Sequence, residues 1–303
     1  MATDHGAFEF KQNEFFRLSF DNDWEESKCI FDESHKSIEL FKKSPKMAIH
    51  RCECGFVFSK KQPTNEFLSK FYTNSDPMSY WAKHKVDRDE DARQRRKYQR
   101  AVEYLKTLDI KSVCDVGCGT GRFLSMLEGK ESLGVDMNEA SLVAAKSLGI
   151  NTYRGEFIPE GQSFDMISLW GVFEHVKEPI EFAKRCYGHL NSRGYLLVCV
   201  PNVDSFLVHT IWKSASTFCP QHLWYYSKLT LQRALNRAGF KEVTTWTEET
   251  EALPIAKYKC GFDPYNKDIG PPWLEHVSTL AKEVDELVMS ADNGYKIVGV
   301  YQK

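Results

Sequence analysis

Val113-Cys-Asp-Val-Gly117-Cys-Gly119-Thr-Gly121 decides how this chain is read. Its first part lies in Ser112–Val116, an apolar run of strand length that stops at three alternating glycines. Glycine permits a tight turn and lets a ligand approach the backbone. Arg122–Glu128 then reads as a helix, whose N-terminus would favour electronegative groups. Strand, glycine turn and helix in succession mark the first unit of a nucleotide-binding α/β fold.

Working outward, Ser132–Asp136 is a second strand. Asn138 can cap a helix over Glu139–Leu148, and Gly149 stops it. Asn151–Arg154 and Phe164–Trp170 are further strands. A helix over Pro179–Leu190, the turn Asn191–Gly194 and the strand Tyr195–Val200 follow. Leu229–Ala238 is helical with Gly239 as its stop, and Lys241–Trp246 is a strand. Glu275–Met289 has helical periodicity, and Asn293-Gly294 turns into a last strand, Tyr295–Tyr301. Strands separated by helices imply a parallel sheet, and the last two strands permit an antiparallel pair. Upstream, residues 63–108 read as helical and 1–62 as irregular. The mixed acids and bases of Lys83–Arg100 fit a solvated helix face.

Asp136 ends the second strand, 19 residues after Gly117. A carboxylate there accepts hydrogen bonds from ribose hydroxyls. The glycine spacing is G-x-G-x-G, and Asp115 stands two residues before the first glycine. An acid at the loop opposes a pyrophosphate but suits the ammonium of an amino-acid cofactor. The pattern therefore favours S-adenosylmethionine over a dinucleotide.

With these residues in view, the chain resembles the class I S-adenosylmethionine-dependent methyltransferases over about residues 108–247 and the terminal strand. Glu174-His175, Pro201-Asn202 and His222-Leu-Trp-Tyr-Tyr226-Ser227 resemble the motifs of its branch acting on sugars, quinones and other small metabolites. The resemblance implies a Rossmann-like, seven-stranded, mostly parallel sheet with its last strand antiparallel. It implies Gly117, Gly119 and Gly121 around the methionine moiety and Asp115 near its ammonium. Asp136 would meet the ribose, Glu156 and Phe157 the adenine, and Leu169 and Trp170 the cofactor at the end of the fourth strand, with Met137 also in the cofactor-binding set. The domain would span residues 109–303 with an insertion at about 248–290, behind a helical lid at 63–108. Tyr72, Tyr80 and Trp81 resemble lid residues.

An alcohol or carbon acid loses a proton as it attacks, and histidine suits that task. His222, in an aromatic-rich loop, and His175 are the candidate catalytic residues. In sugar C-methyltransferases resembling this branch a Glu precedes the equivalent of His222; here it is Gln221, which leaves O-methylation of a sugar-type or other polar metabolite ahead. Two other readings stay open: an NAD(P)-dependent oxidoreductase and a non-catalytic S-adenosylmethionine-binding protein.

Many members of the branch begin with a zinc ribbon. Arg51-Cys52-Glu-Cys54-Gly-Phe-Val-Phe58 resembles its second knuckle, one residue short, while the first is missing and only Cys29, His35 and His50 offer further ligands. A metal-free vestige is the expectation.

Lys plus Arg (40) nearly balances Asp plus Glu (42), which gives no support for a nucleic-acid partner. Nine scattered cysteines in 303 residues do not resemble a secreted disulfide scaffold. Asp4, His5 and Glu9 interrupt any signal-peptide profile, and the longest apolar run, Tyr195–Val200, is far below the roughly 20 residues a bilayer needs. A soluble cytoplasmic enzyme with a small-molecule acceptor, and neither nucleic acid nor membrane as partner, is expected; the oligomeric state is not legible.

Overall fold

The computed structural model describes residues 14–74, 92–248, 252–264 and 283–303. The chain divides into two compact units. One comprises Met1–Gln62, Val200–Leu231 and Thr245–Val298; the other comprises Pro63–Cys199, Gln232–Thr244 and Gly299–Lys303.

The N-terminal segment is not irregular. It forms β1 (Trp24–Glu26), β2 (Ser37–Ser44), β3 (Met47–Cys52), β4 (Val57–Ser59) and β5 (Lys61–Pro63). β2, β3 and β4 are antiparallel neighbours, and β11 (Trp224–Tyr225) pairs with β4 to complete a four-stranded sheet. The expectation failed because β2 has no fully buried residue, so its sequence lacks the apolar alternation that betrays a strand. Burial is concentrated on its neighbour, where Met47, Ile49 and Cys52 are buried at alternating or nearly alternating positions. Met47 and Ile49 join Leu207, Ile211, Phe218 and Tyr225 in one apolar cluster.

α1 (Asn65–Asn74) and α2 (Ala92–Leu105) are the described parts of the helical stretch; Tyr80 and Trp81 lie outside the described residues. The predicted strands then appear as β6 (Ser112–Val116), β7 (Glu131–Asp136), β8 (Asn151–Arg154), β9 (Phe164–Trp170), β10 (Leu190–Pro201), β12 (Lys241–Glu248) and β13 (Lys296–Gln302). They make a seven-stranded sheet in the order β12-β13-β10-β9-β6-β7-β8. β6, β7, β8, β9 and β10 run parallel. β13 runs against β10: Lys303 bonds back to Gly194, and Asn202 bonds to Tyr295. The Rossmann-like architecture with a reversed last strand is therefore as expected.

Local signals explain most boundaries. The Asn138 side chain accepts the Ser141 amide and starts α3 (Glu139–Ser147), and Gly149 turns away at φ +77°. α4 (Pro179–Gly188) begins on a proline at its first position. It ends before Leu190, which opens β10, so the predicted turn at Asn191–Gly194 is an irregularity within a longer strand. α5 (Phe206–Ile211), α6 (Lys228–Arg237) and α7 (Ala252–Lys259) complete the named helices. A further helix covers 283–290, while the earlier part of the predicted Glu275–Met289 helix lies outside the described residues.

One expectation near the site is corrected. Arg122–Glu128 is not an α-helix; only Leu124–Met126 forms a single 3-10 turn. Phe123, Leu124 and Leu127 are all buried, and the three-residue period aligns Leu124 with Leu127. The glycine loop therefore lacks a long helix dipole behind it.

Candidate active site

The glycine loop leaves the C-terminal end of β6, the strand between β9 and β7 in the sheet. All three glycines have positive φ: +71° at Gly117, +53° at Gly119 and +75° at Gly121. Their surroundings differ. A Cβ at Gly117 would stand 2.5 Å from Val172 Cγ2, and one at Gly121 would stand 2.9 Å from Ala145 Cβ. At Gly119 a Cβ would meet nothing within 4 Å. Gly117 and Gly121 are thus packing positions, and Gly119 borders open space.

Two carboxylates organise this edge. Asp115 is buried and accepts the Ser168 hydroxyl at 2.6 Å. Asp136 accepts the Gly119 amide at 2.9 Å through Oδ2 and the Asn138 amide at 2.8 Å through Oδ1. The Gly117 and Cys118 amides both donate to the Val135 carbonyl, at 2.7 and 3.0 Å. Burial, reinforced by Asp115 and Asp136, pushes the Cys118 thiol up and keeps it protonated. Met137 follows Asp136 and is half-buried. The residues at this edge suit an amino-acid nucleoside: a buried acid, an open glycine, and a second acid whose oxygens each take one backbone amide and have the capacity for a second donor.

The end of β9 contributes Leu169, fully buried, and Trp170. The Trp170 ring packs edge-on against Tyr98 of α2 at 4.7 Å and against Phe123 at 5.0 Å. Glu156 is exposed and accepts a 3.4 Å bond from Ser69 of α1. Phe157 behaves differently from its neighbour. Its ring lies against Phe182 at 5.0 Å and His189 at 5.4 Å, with the Arg185 guanidinium 4.0 Å away. His189 immediately precedes β10, so this cluster lies towards the N-terminal edge of the sheet, opposite the glycine loop.

His175 ends a 3-10 turn just after β9, and its Nδ1 stands 3.2 Å from the Tyr72 hydroxyl of α1. Glu174 is buried beneath Gly171. In the other unit, His222 Nδ1 lies 2.6 Å from the Thr217 carbonyl. A carbonyl only accepts, so Nδ1 carries a proton towards it. The adjoining Gln221, Leu223, Trp224 and Tyr225 are buried.

Sequence reading missed Ser168 and Tyr98. Ser168 is legible only once β9 is laid beside β6, which puts it opposite Asp115 in the register. Tyr98 carried a signal, an aromatic within a charged helix, but nothing gave its direction.

The methyltransferase-domain family model matches residues 86–245, more than half of the chain. A tRNA U34 carboxymethyltransferase of Idiomarina loihiensis is 27% identical over 173 residues, covering 52% of this chain and 54% of the relative. A ubiquinone biosynthesis O-methyltransferase of Bradyrhizobium diazoefficiens is 31% identical over 129 residues, covering 39% and 48%. The chain spans about half the length of the curated relatives it matches. The solved magnesium protoporphyrin IX methyltransferase of Synechocystis shares the fold, with a TM-score of 0.53 and 13% identity over 79% of this chain and 100% of that one. Among the described residues no helix is long and apolar enough to cross a membrane. The family model, together with the glycine loop and its two carboxylates, makes this chain a member of the S-adenosylmethionine-dependent methyltransferases.

Proposed function

We propose that this enzyme methylates a hydroxyl group of a small polar metabolite. When bound, S-adenosylmethionine supplies an electrophilic methyl group on a sulfonium. The chain's own residues then hold, orient and deprotonate. Gly119 leaves the backbone open to the methionine portion, Asp115 balances an ammonium, and Asp136 offers acceptors to ribose hydroxyls. Met137, Glu156, Phe157, Leu169 and Trp170 complete the cofactor set. Alignment of the acceptor contributes several kcal/mol of barrier reduction, about 7 or more in well-ordered cases.

The observation that carries the acceptor class is the anchoring of the His222 ring, whose Nδ1 is held by the Thr217 carbonyl at 2.6 Å. A hydroxyl must lose its proton as it attacks, and a ring anchored through Nδ1 presents its other nitrogen as the base. His175, tied to Tyr72, is the second candidate for that role. His222→Ala is expected to lower turnover by about 100-fold, the lower range for a lost general base, while affinity for S-adenosylhomocysteine stays within twofold of the parent, read by calorimetry. Unchanged turnover on the acceptor would remove His222 from the mechanism.

A second reading has its own support. Several relatives carry the name tRNA U34 carboxymethyltransferase, which makes an RNA acceptor the alternative. The chain's balanced charge speaks for the small acceptor.

A further inference from the structure

Cys29, His35, Cys52 and Cys54 come together in the N-terminal sheet, each offering one ligand atom, and these atoms all lie within 4.8 Å of one another. Cys29 Sγ and Cys54 Sγ are 3.6 Å apart. A tetrahedral zinc ion with Zn–S bonds near 2.3 Å has sulfurs roughly 3.8 Å apart. The spacing is thus that of ligands around a common centre, and far longer than the roughly 2.05 Å of a disulfide.

The surrounding backbone is built for thiolates. The amide of Cys54 points at Cys52 sulfur and that of Phe56 at Cys54 sulfur, while the amides of Phe31 and Asp32 point at Cys29 sulfur. Each cysteine thus receives an amide from the second residue beyond it. The turn that makes this possible runs from Cys52 to Phe56. Gly55 donates to the Cys52 carbonyl and Cys52 to the Phe56 carbonyl, both at 2.8 Å, and Gly55 adopts φ +86°. Only glycine takes that conformation cheaply. The Glu53 amide bonds the Lys36 carbonyl at 3.0 Å, which seats the turn against the loop bearing His35.

His35 supplies the fourth position. Its Nδ1 is buried without a hydrogen bond of good geometry, the ring lies against the Cys54 thiol and favours its thiolate, and Nε2 lies 3.8 Å from Asp32 Oδ2. A buried ring nitrogen without a hydrogen costs free energy unless something binds its lone pair. Asp32 stands on the side of the far nitrogen, in ion-pair range, where a carboxylate can orient a metal-bound histidine.

The geometry points to a structural zinc site formed by Cys29, His35, Cys52 and Cys54. The set is three soft thiolates and one imidazole, the donor chemistry zinc selects. Binding releases the three thiol protons and leaves a site charge of −1, which the amides aimed at the sulfurs offset. Four protein ligands close the coordination sphere, so the ion holds structure rather than substrate. It would pin the 29–36 loop to the end of β3. This departs from two paired knuckles: the first pair is replaced by one cysteine and one histidine six residues apart. It also reverses the metal-free expectation drawn from the sequence.

The test uses the full-length protein purified without chelator and then washed with EDTA. Elemental analysis is expected to find one zinc per chain, released in step with thiol modification by a mercurial reagent. His35→Ala and Cys54→Ser are expected to lose it, while Cys260→Ser, at an exposed cysteine, keeps it. Because a ligand variant can fail to fold, cobalt(II) exchange into the unaltered protein gives an independent reading. Intense visible bands of a tetrahedral ion and a sulfur-to-cobalt charge-transfer band are expected. Metal-free protein that shows no cobalt spectrum would overturn the proposal. So would an intact mass short of two hydrogens with a Cys29–Cys54 disulfide in the peptide map, or zinc retained at full occupancy in folded Cys54→Ser.

Discussion

At the scale of single residues, the three loop glycines share a conformation but not a function. Gly121 has Ala145 Cβ at 2.9 Å and Ala145 Cα at 3.2 Å from a built Cβ, so an added methyl must displace α3. Gly121→Ala carries that overpacking, about 1–3 kcal/mol, and a left-handed penalty of about 1–2 kcal/mol. Gly119→Ala carries only the second. We expect Gly121→Ala to lower the Tm by about 4 °C or more, taking about 2–4 °C per kcal/mol. Gly119→Ala should lower it less and weaken S-adenosylhomocysteine binding by about tenfold or more, since its methyl enters the open space. Calorimetry and thermal melts on both variants separate the two. The sequence showed that these glycines matter, because their spacing is local. It did not show which one faces a ligand, because Val172 and Ala145 reach the loop from elsewhere in the chain. Phe157 shows the same: its position after β8 was legible, whereas the packing of Phe182, Arg185 and His189 around its ring was not.

At the scale of elements, Asp165 shows how the parallel strands are tied. It sits near the start of β9 and accepts the amides of Lys111 and Ser112 at 2.8 and 3.0 Å, at the entry to β6. The Asn191 side chain, from the start of β10, donates to its other oxygen at 2.8 Å. Partial burial pushes its carboxyl up, but the Asn191 amide and the two backbone amides outweigh this and hold it below the ordinary range. A carboxyl depressed in the folded state stabilises above its unfolded pKa, and the gain is lost as pH falls through the folded value. Asp165→Asn is therefore expected to lower stability by about 1 kcal/mol at neutral pH, after allowing for solvent screening. The gap between variant and parent should close in acid, below the ordinary aspartate value, as followed by denaturant titration across pH. Elements whose period is local were legible: β6, β7 and β9, the Asn138 cap and the Pro179 start. The N-terminal strands were not, because β2 is half solvated and the sheet is completed by β11, from 165 residues beyond the end of β4 in sequence. A pairing over that distance leaves no trace in a local window.

At the scale of the whole molecule, the acceptor question becomes one of charge. A protein that grips RNA by six to ten phosphates loses roughly 10³–10⁵ in affinity between 50 and 200 mM salt, because each contact releases a counterion. Such binding requires a clustered cationic surface. This chain carries 40 basic and 42 acidic residues, a formal net charge of −2, and its exposed lysines are repeatedly paired with acids: Lys28 with Glu33, Lys70 with Glu66, Lys184 with Glu181. Among the described residues, these pairs reduce the cationic surface left for a polyanion. The relatives whose names specify tRNA match over about half their length, so that match leaves room for a different acceptor on a shared domain. We therefore expect labelled unfractionated tRNA to show no saturable binding tighter than the nonspecific range of about 10⁻⁴–10⁻⁶ M, read by fluorescence anisotropy in low salt. Turnover with a small hydroxylated acceptor should change less than about threefold between 50 and 200 mM salt, because a neutral acceptor releases no counterions. Submicromolar tRNA binding that falls steeply with salt would give the RNA reading precedence. It would also move the search for the proton acceptor from His222 to the groups that contact a base.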